Sequence, residues 1–232
     1  ALAGTEQSPA FKSYTILTQD LEHVGTAPAD WIEASRAPRM ACESLLEVLS
    51  EKFHASETFI GALNPGVSSW DAVMAGQPVK APRTSPQAQL PDADRIVIDC
   101  SQFRLRAYGP ENRLIASFPC STAANLTKIP TGALFLTSFA ANPTYVFDPR
   151  NYPESERAQE IGRKLIVPAG PNCPVGDYWI GLNAPGFGIH GTPHPETIGR
   201  RESHGCFRLT NWDIVRLSKI VKAGTPVVVT GL

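Results

Sequence analysis

Arg201-Glu-Ser-His-Gly-Cys-Phe-Arg-Leu-Thr-Asn-Trp212, taken with Gly188-Ile-His-Gly-Thr192, decides how the chain is understood. The two stretches place one thiol, Cys206, two residues after His204 and sixteen after His190. A cysteine attacks a carbonyl carbon as thiolate. An unperturbed thiol titrates at about 8.5, so it needs a base or a positive field to react near neutrality. A histidine brought back by a loop supplies that base. The adjoining glycines, Gly191 and Gly205, let backbone N–H groups approach a developing oxyanion.

The chain has 232 residues, of which 42% are hydrophobic. That is enough for a real core and argues against disorder. Net charge is −1 and the pI is near 6.6, with no Lys/Arg run, so the electrostatic footprint of a nucleic-acid binder is missing. No segment approaches the ~20 apolar residues of a membrane helix, so the chain is not expected to span a membrane. It opens at Ala1 without a methionine, which suits a processed export product and a trimmed one equally.

Residues 1–12 are small and polar and read as a loose lead. Tyr14–Thr18 alternates like a strand. Ala41–Phe53 carries a helical apolar face, and Ser56–Leu63 reads as a second helix capped by Ser56 and stopped by Asn64-Pro65-Gly66. Ala75–Pro82 reads as a turn into a strand. The first domain is therefore a small α+β unit over 13–82 in the order strand, helix, helix, strand, with an insertion near 22–40. The proline-rich residues 83–93 read as a linker. From 94 to 232 short β-branched or aromatic runs recur between turn residues: 96–98, 103–108, 114–118, 133–137, 145–147, 178–182 and 227–230. One helix stands out, Trp212–Lys222, with Asn211 as its cap. This pattern gives a mainly β domain, a sandwich or barrel with one main helix.

If Cys206 is the nucleophile, four cysteines remain: Cys42, Cys100, Cys120 and Cys173. A hairpin of 95–107 with 113–121, centred near Pro110, would set Cys100 opposite Cys120. A disulfide there and two buried free thiols are the alternatives.

His-Gly-Thr, a short loop and Ser-His-Gly-Cys-x-Arg-Leu together resemble the signature of the L,D-transpeptidase (YkuD-like) catalytic domain. Gly170–Gly176, Tyr178–Leu182, Ile198-Gly199, Leu209–Asp213 and Gly224–Val227 extend the resemblance over roughly 94–232. Cys173 departs from it, standing where the family pattern more often has asparagine. The first domain resembles a LysM module in Leu63-Asn-Pro65 and Ala75–Pro82, and departs from it at Gln19-Asp20-Leu21 and in the insertion. The resemblance implies an exported cell-envelope or periplasmic enzyme acting on peptidoglycan stem peptides without a cofactor. It also implies inhibition by carbapenems and possible contact of the LysM-like domain with glycan strands.

Under that resemblance Cys206 is the nucleophile that forms a thioester, and His190 is the general base and acid. Gly191 orients His190 through its carbonyl, and the N–H groups of Gly205 and Cys206 receive the oxyanion. His204 lines the site or orients a partner. Arg208, Ser203 and Thr192 are the candidate substrate-binding residues; for Arg208 a loop salt bridge, and for Ser203 a loop-bracing hydroxyl, are the alternatives. Tyr145, Tyr178 and Trp179 line the groove or belong to the core. His190 and His194 stand at metal-ligand spacing only on a helix, which Gly191 and Pro193 forbid, so no metal site is expected. The expected activity is transfer of a stem-peptide acyl group to an amine with release of D-alanine. Hydrolysis by the same pair and a non-catalytic wall-binding role are the competing readings.

Overall fold

The computed structural model describes residues 10–84, 89–203 and 205–232. The first elements in chain order are β1 (Phe11–Thr15), α1 (Thr18–Glu22), α2 (Trp31–Arg36), α3 (Leu45–Phe53), α4 (Glu57–Leu63) and β2 (Pro78–Pro82). The chain forms two compact units. Unit 1 takes 1–26 and 42–88; unit 2 takes 27–41 and 89–232.

In unit 1, β1 and β2 run antiparallel, from Phe11 opposite Pro82 to Thr15 opposite Pro78. The helical spacing of Leu45, Val48, Leu49 and Phe53 buries one face of α3. That face meets Ile16, Ile60, Val73, Val79 and Ala81. Ser44 and Ser56 accept N–H groups of Glu47 and Phe59, capping α3 and α4. Asn64 does more than stop α4. Its amide donates to the carbonyls of Ile60 and Lys80 (2.8 Å each) and its Oδ1 accepts from the Lys80 N–H (2.7 Å), tying the helix end to β2. Asp20 is buried, receives Lys52 Nζ at 2.6 Å and the Tyr14 hydroxyl at 2.6 Å, and also accepts the Leu17 N–H.

Two boundaries differ from expectation. Residues 1–9 of the expected lead lie outside the described residues, and Phe11 and Lys12 already belong to β1. The expected insertion is divided: residues 27–41 group with unit 2, because their side chains find their apolar partners there. The ends of this excursion lie side by side in unit 1. Val24 and Cys42 form a parallel bridge, and the Gly25 N–H donates to the Cys42 carbonyl at 2.7 Å.

Unit 2 continues with β3 (Arg95–Asp99), β4 (Arg104–Tyr108), β5 (Leu114–Pro119), β6 (Thr122–Ala123), β7 (Leu134–Ala141), β8 (Tyr145–Phe147), α5 (Glu156–Ile161), β9 (Leu165–Val167), β10 (Tyr178–Leu182), β11 (Gly188–His190), β12 (Arg201–Ser203), β13 (Phe207–Arg208), α6 (Asn211–Ser218) and β14 (Pro226–Thr230). Eight strands form one mixed sheet in the order β13-β11-β10-β7-β14-β3-β4-β5. β14/β3 and β11/β13 are its parallel pairs. β6/β12 and β8/β9 make small ribbons. The domain is mainly β, with α6 as the principal helix. The core gathers alternate strand residues such as Ile96, Ile98, Leu105, Leu136, Ile180 and Ile189 beneath Ile214 and Leu217 of α6. Of the expected linker, 85–88 lie outside the described residues. Ala93 is buried and its N–H donates to the Ile220 carbonyl at 2.7 Å, so the packed unit begins before residue 94.

Only the part of the expected hairpin nearest its turn forms: 104–108 pairs antiparallel with 114–119, while 95–99 pairs with 104–108 instead. Asp99 Oδ1 accepts the N–H groups of Ser101 and Gln102, and Phe103 adopts φ +52°, so the chain turns there and splits the expected strand into β3 and β4. β4 therefore lies between β3 and β5, and Cys100 and Cys120 are not cross-strand partners. All five cysteines are free thiols, and burial pushes Cys120 up to about 12.

Candidate active site

The strand register brings the chemistry together. β11 and β13 pair in parallel with Ile189 opposite Phe207 and His190 opposite Arg208. Cys206 stands one residue before β13, and His190 ends β11. The Leu209 N–H donates to the His190 carbonyl at 2.9 Å. Arg208 is held on its other side by Ser121, through N–H to carbonyl bonds of 2.9 and 3.0 Å. Residues sixteen apart in sequence are thus fixed by backbone bonds at one end of the sheet.

His190 is buried, with Nδ1 2.6 Å from the Gly191 carbonyl. A carbonyl oxygen can only accept, so Nδ1 carries the proton and Nε2 keeps its lone pair. Burial pushes this imidazole down to about 4; the Gly191 bond opposes the shift and the Arg208 charge adds to it. The ring of Trp179, its cross-strand partner, stacks on it at 5.5 Å with planes 17° apart.

Cys206 is half-buried. Burial pushes its thiol up; the Gly188 N–H and the Arg208 charge pull it down. The Sγ also lies 3.7 Å from the Gly186 carbonyl. The resting pair is therefore neutral thiol and neutral imidazole.

The remaining candidates separate. Ser203 is buried; its hydroxyl donates to the Cys206 carbonyl at 2.5 Å and accepts the Gly205 N–H at 3.3 Å. It ties Ser203 to Gly205 and Cys206 and engages the Gly205 donor. Thr192 is also buried, and its hydroxyl accepts the His194 N–H at 3.2 Å, so it too is turned into its loop. Arg208 is half-buried and its Nε has no hydrogen-bond partner among the described residues. His194 is exposed, 3.6 Å from Glu196. His204 lies outside the described residues. Among the described residues no cluster of three or more His, Cys, Asp or Glu side chains could hold a metal, and no helix is long and apolar enough to cross a membrane. Two surface clefts of about 310 and 300 Å³ are lined by β1/β2 residues and by residues 131–134 with 226–229; Cys206 lines neither.

Asn211 was expected as a helix cap, but Thr210 is the cap, its hydroxyl accepting the Asp213 N–H at 3.2 Å. Asn211 instead binds outward. Its Oδ1 accepts the Asp177 N–H and its Nδ2 donates to the Pro171 carbonyl, both at 3.1 Å. A Cβ at Gly176 or at Gly191 would strike that Oδ1, so both glycines serve its approach. Asn211 thereby lies against Gly191, whose carbonyl accepts from His190. The sequence signal for Trp179 was its place in a strand pairing with the one that ends at His190; for Asn211 no local signal exists.

Residues 93–229 match the L,D-transpeptidase catalytic domain family, YkuD. A Bacillus licheniformis protein named as the L,D-transpeptidase YkuD is 28% identical over 185 residues, spanning 80% of this chain and 93% of its own. An Escherichia coli protein named as the L,D-transpeptidase YcfS is 34% identical over 188 residues, 78% of this chain and 57% of its own. L,D-transpeptidase 3 of Mycobacterium tuberculosis aligns in space with a TM-score of 0.46 at 15% identity, over 68% of this chain and 76% of its own. The chain belongs to the YkuD family of L,D-transpeptidases.

Proposed function

We propose that the protein is a peptidoglycan L,D-transpeptidase in which Cys206 is the nucleophile and His190 the base. The observation that carries this reading is the Nδ1–H bond to Gly191, which leaves Nε2 as an acceptor at the sheet end that also presents Cys206. Nε2 takes the thiol proton while Sγ attacks the carbonyl between residues three and four of a tetrapeptide stem. The Cys206 N–H receives the oxyanion. The C–N bond breaks, the imidazolium returns its proton to the departing D-alanine nitrogen, and a thioester remains. An acceptor amine then attacks the thioester, Nε2 removes its proton, and the thiol is restored. Arg208 offers its cation to a stem carboxylate. A carbapenem would be opened in the same way, its lactam C–N bond breaking as the thioester forms.

A peptidoglycan substrate places the working enzyme outside the cytoplasmic membrane. The antiparallel β1/β2 pair of unit 1, with α3 and α4 between its strands in sequence, supports a LysM-like wall contact, which co-sedimentation with insoluble peptidoglycan tests. Mass spectrometry of the protein with disaccharide-tetrapeptides, with and without a D-amino acid, tests the chemistry. Exchanged or dimeric product absent with Cys206→Ala supports transfer. D-alanine release alone makes the enzyme a carboxypeptidase, and no reaction with stems or carbapenem returns the weight to wall binding.

A further inference from the structure

Residues 27–41 belong to unit 2 by contact although unit 1 precedes and follows them in sequence. Trp31 stacks on Phe147 at 4.7 Å and lies 5.9 and 5.8 Å from Tyr145 and Tyr152. Those tyrosines share a hydroxyl–hydroxyl bond of 2.7 Å. Asp30 caps α2 by accepting the Ile32 and Glu33 N–H groups, and Arg157 reaches its other oxygen at 2.5 Å. At the far end of the segment the Met40 N–H donates to the Ala169 carbonyl (2.9 Å), and the Met40 carbonyl accepts the Asn172 N–H (3.2 Å). Gly170 lies between these bonds at φ +142°, and a Cβ there would strike the Met40 backbone. The segment is clasped at both ends.

Between the clasps, Ala34 and Met40 form a buried cluster with Val167, Cys173 and Val175. Trp31, Tyr145 and Trp179 pack against it. Trp179 is the ring stacked on His190. The phenol of Tyr145 is pushed up chiefly by burial and by Tyr152, with the Cys206 and Cys173 thiols in electrostatic range. Cys173 also finds its explanation. A small apolar thiol suits a site covered by Ala34 and Met40, where an asparagine would need polar partners.

We propose that residues 27–41 are a structural part of the catalytic centre, with Trp31 and Met40 acting as positioning residues that hold the Trp179 ring, and through it the His190 imidazole, in place. This rests on His190 being the base. The cluster that Ala34 and Met40 share with Val167, Cys173 and Val175 packs against Trp179, and that ring stacks on His190. A packed second layer of this kind keeps a reacting group within the narrow geometry its proton transfer needs.

The test uses the full chain, as wild type, Trp31→Ala and Trp31→Phe. The ¹⁵N-histidine spectrum gives the His190 tautomer and titration, with His190→Gln for assignment, and a carbapenem gives the acylation rate of Cys206. Trp31→Ala is expected to move the His190 titration upward towards that of a solvated ring and to slow acylation at neutral pH by about tenfold or more. Trp31→Phe is expected to restore both to within about threefold. A Trp31→Ala protein that melts earlier but titrates and acylates like wild type would overturn the proposal. If Trp31→Ala does not fold, Met40→Ala and Arg157→Gln carry the same readouts under the same criterion. Wild type that fails to acylate removes the proposed function, while the His190 titration still decides on the strap.

Discussion

The burial of His190 sets a pH range that can be measured. An imidazole held at about 4 is still about 90% neutral at pH 5, whereas an ordinary one titrating at about 6.5 would be about 3% neutral. Acylation of Cys206 by a carbapenem, followed as loss of lactam absorbance in stopped flow, should therefore keep about nine-tenths of its neutral rate at pH 5. Half of it should remain near pH 4. The same burial bears on stability. Above about pH 6.5 both folded and unfolded chains hold a neutral ring and the contribution is complete. Below it the unfolded chain takes up a proton that the folded chain refuses, so stability falls until the folded ring titrates at about 4. The gap of roughly 2.5 units amounts to about 3 kcal/mol. Urea midpoints of wild type and His190→Gln at pH 7, 6, 5 and 4 isolate it, since every other group is common to both. Half-loss of acylation near pH 6.5 in protein shown to be folded by circular dichroism would refute the reasoning. So would parallel stability curves for the two proteins.

Arg208→Gln removes a charge that lowers both the imidazole and the thiol, so the acid limb of acylation should move to higher pH while the alkaline limb also rises; pH–rate profiles show both. Asn211→Ala strips the Asp177 N–H of its acceptor and removes the oxygen that lies against Gly191. It should cost about 1–3 kcal/mol in denaturant melts and about tenfold in acylation rate; an unchanged rate would detach Asn211 from the base. Asp20→Asn leaves Lys52 and Tyr14 without their shared carboxylate in unit 1, and Lys52 is partly exposed, so the expected loss is about 1–3 kcal/mol by calorimetry. A loss below about 0.5 kcal/mol would mean water replaces the carboxylate.

What could be read in the sequence was what short-range pattern encodes. β10 coincides with the expected 178–182, and β3, β8 and β14 fall within a residue of their alternating runs. β6, β12 and β13 are two or three residues long and have no room for alternation. The split of 95–107 depended on the Asp99 carboxylate turning the chain, which apolar content does not report. Cys206, His190 and Gly191 could be nominated from their spacing and glycines, and the β11/β13 register and the His190–Gly191 bond bring them to one end of the sheet. For Ser203 and Thr192 the sequence left the role open, because a hydroxyl in a loop reads alike whether it faces a ligand or its own backbone; both make loop hydrogen bonds. Helix α2 had a signal that went unread. Asp30 with Glu33 is a capping pair, completed by the Ala29 N–H on Glu33. That its helix belongs to the other unit is a tertiary fact with no local trace.

The excursion over 27–41 also bears on how such a protein can be cut and recombined. Its ends already meet at Val24, Gly25 and Cys42, so unit 1 could be rejoined by a short splice with little entropic cost of closure. The converse does not hold. A fragment that starts at the family boundary, residue 93, carries the thiol and the imidazole but lacks a stretch encoded more than fifty residues upstream. Swapping the N-terminal module for another would remove a piece of the catalytic unit with it. A chimera that exchanges unit 1 must therefore carry the excursion across.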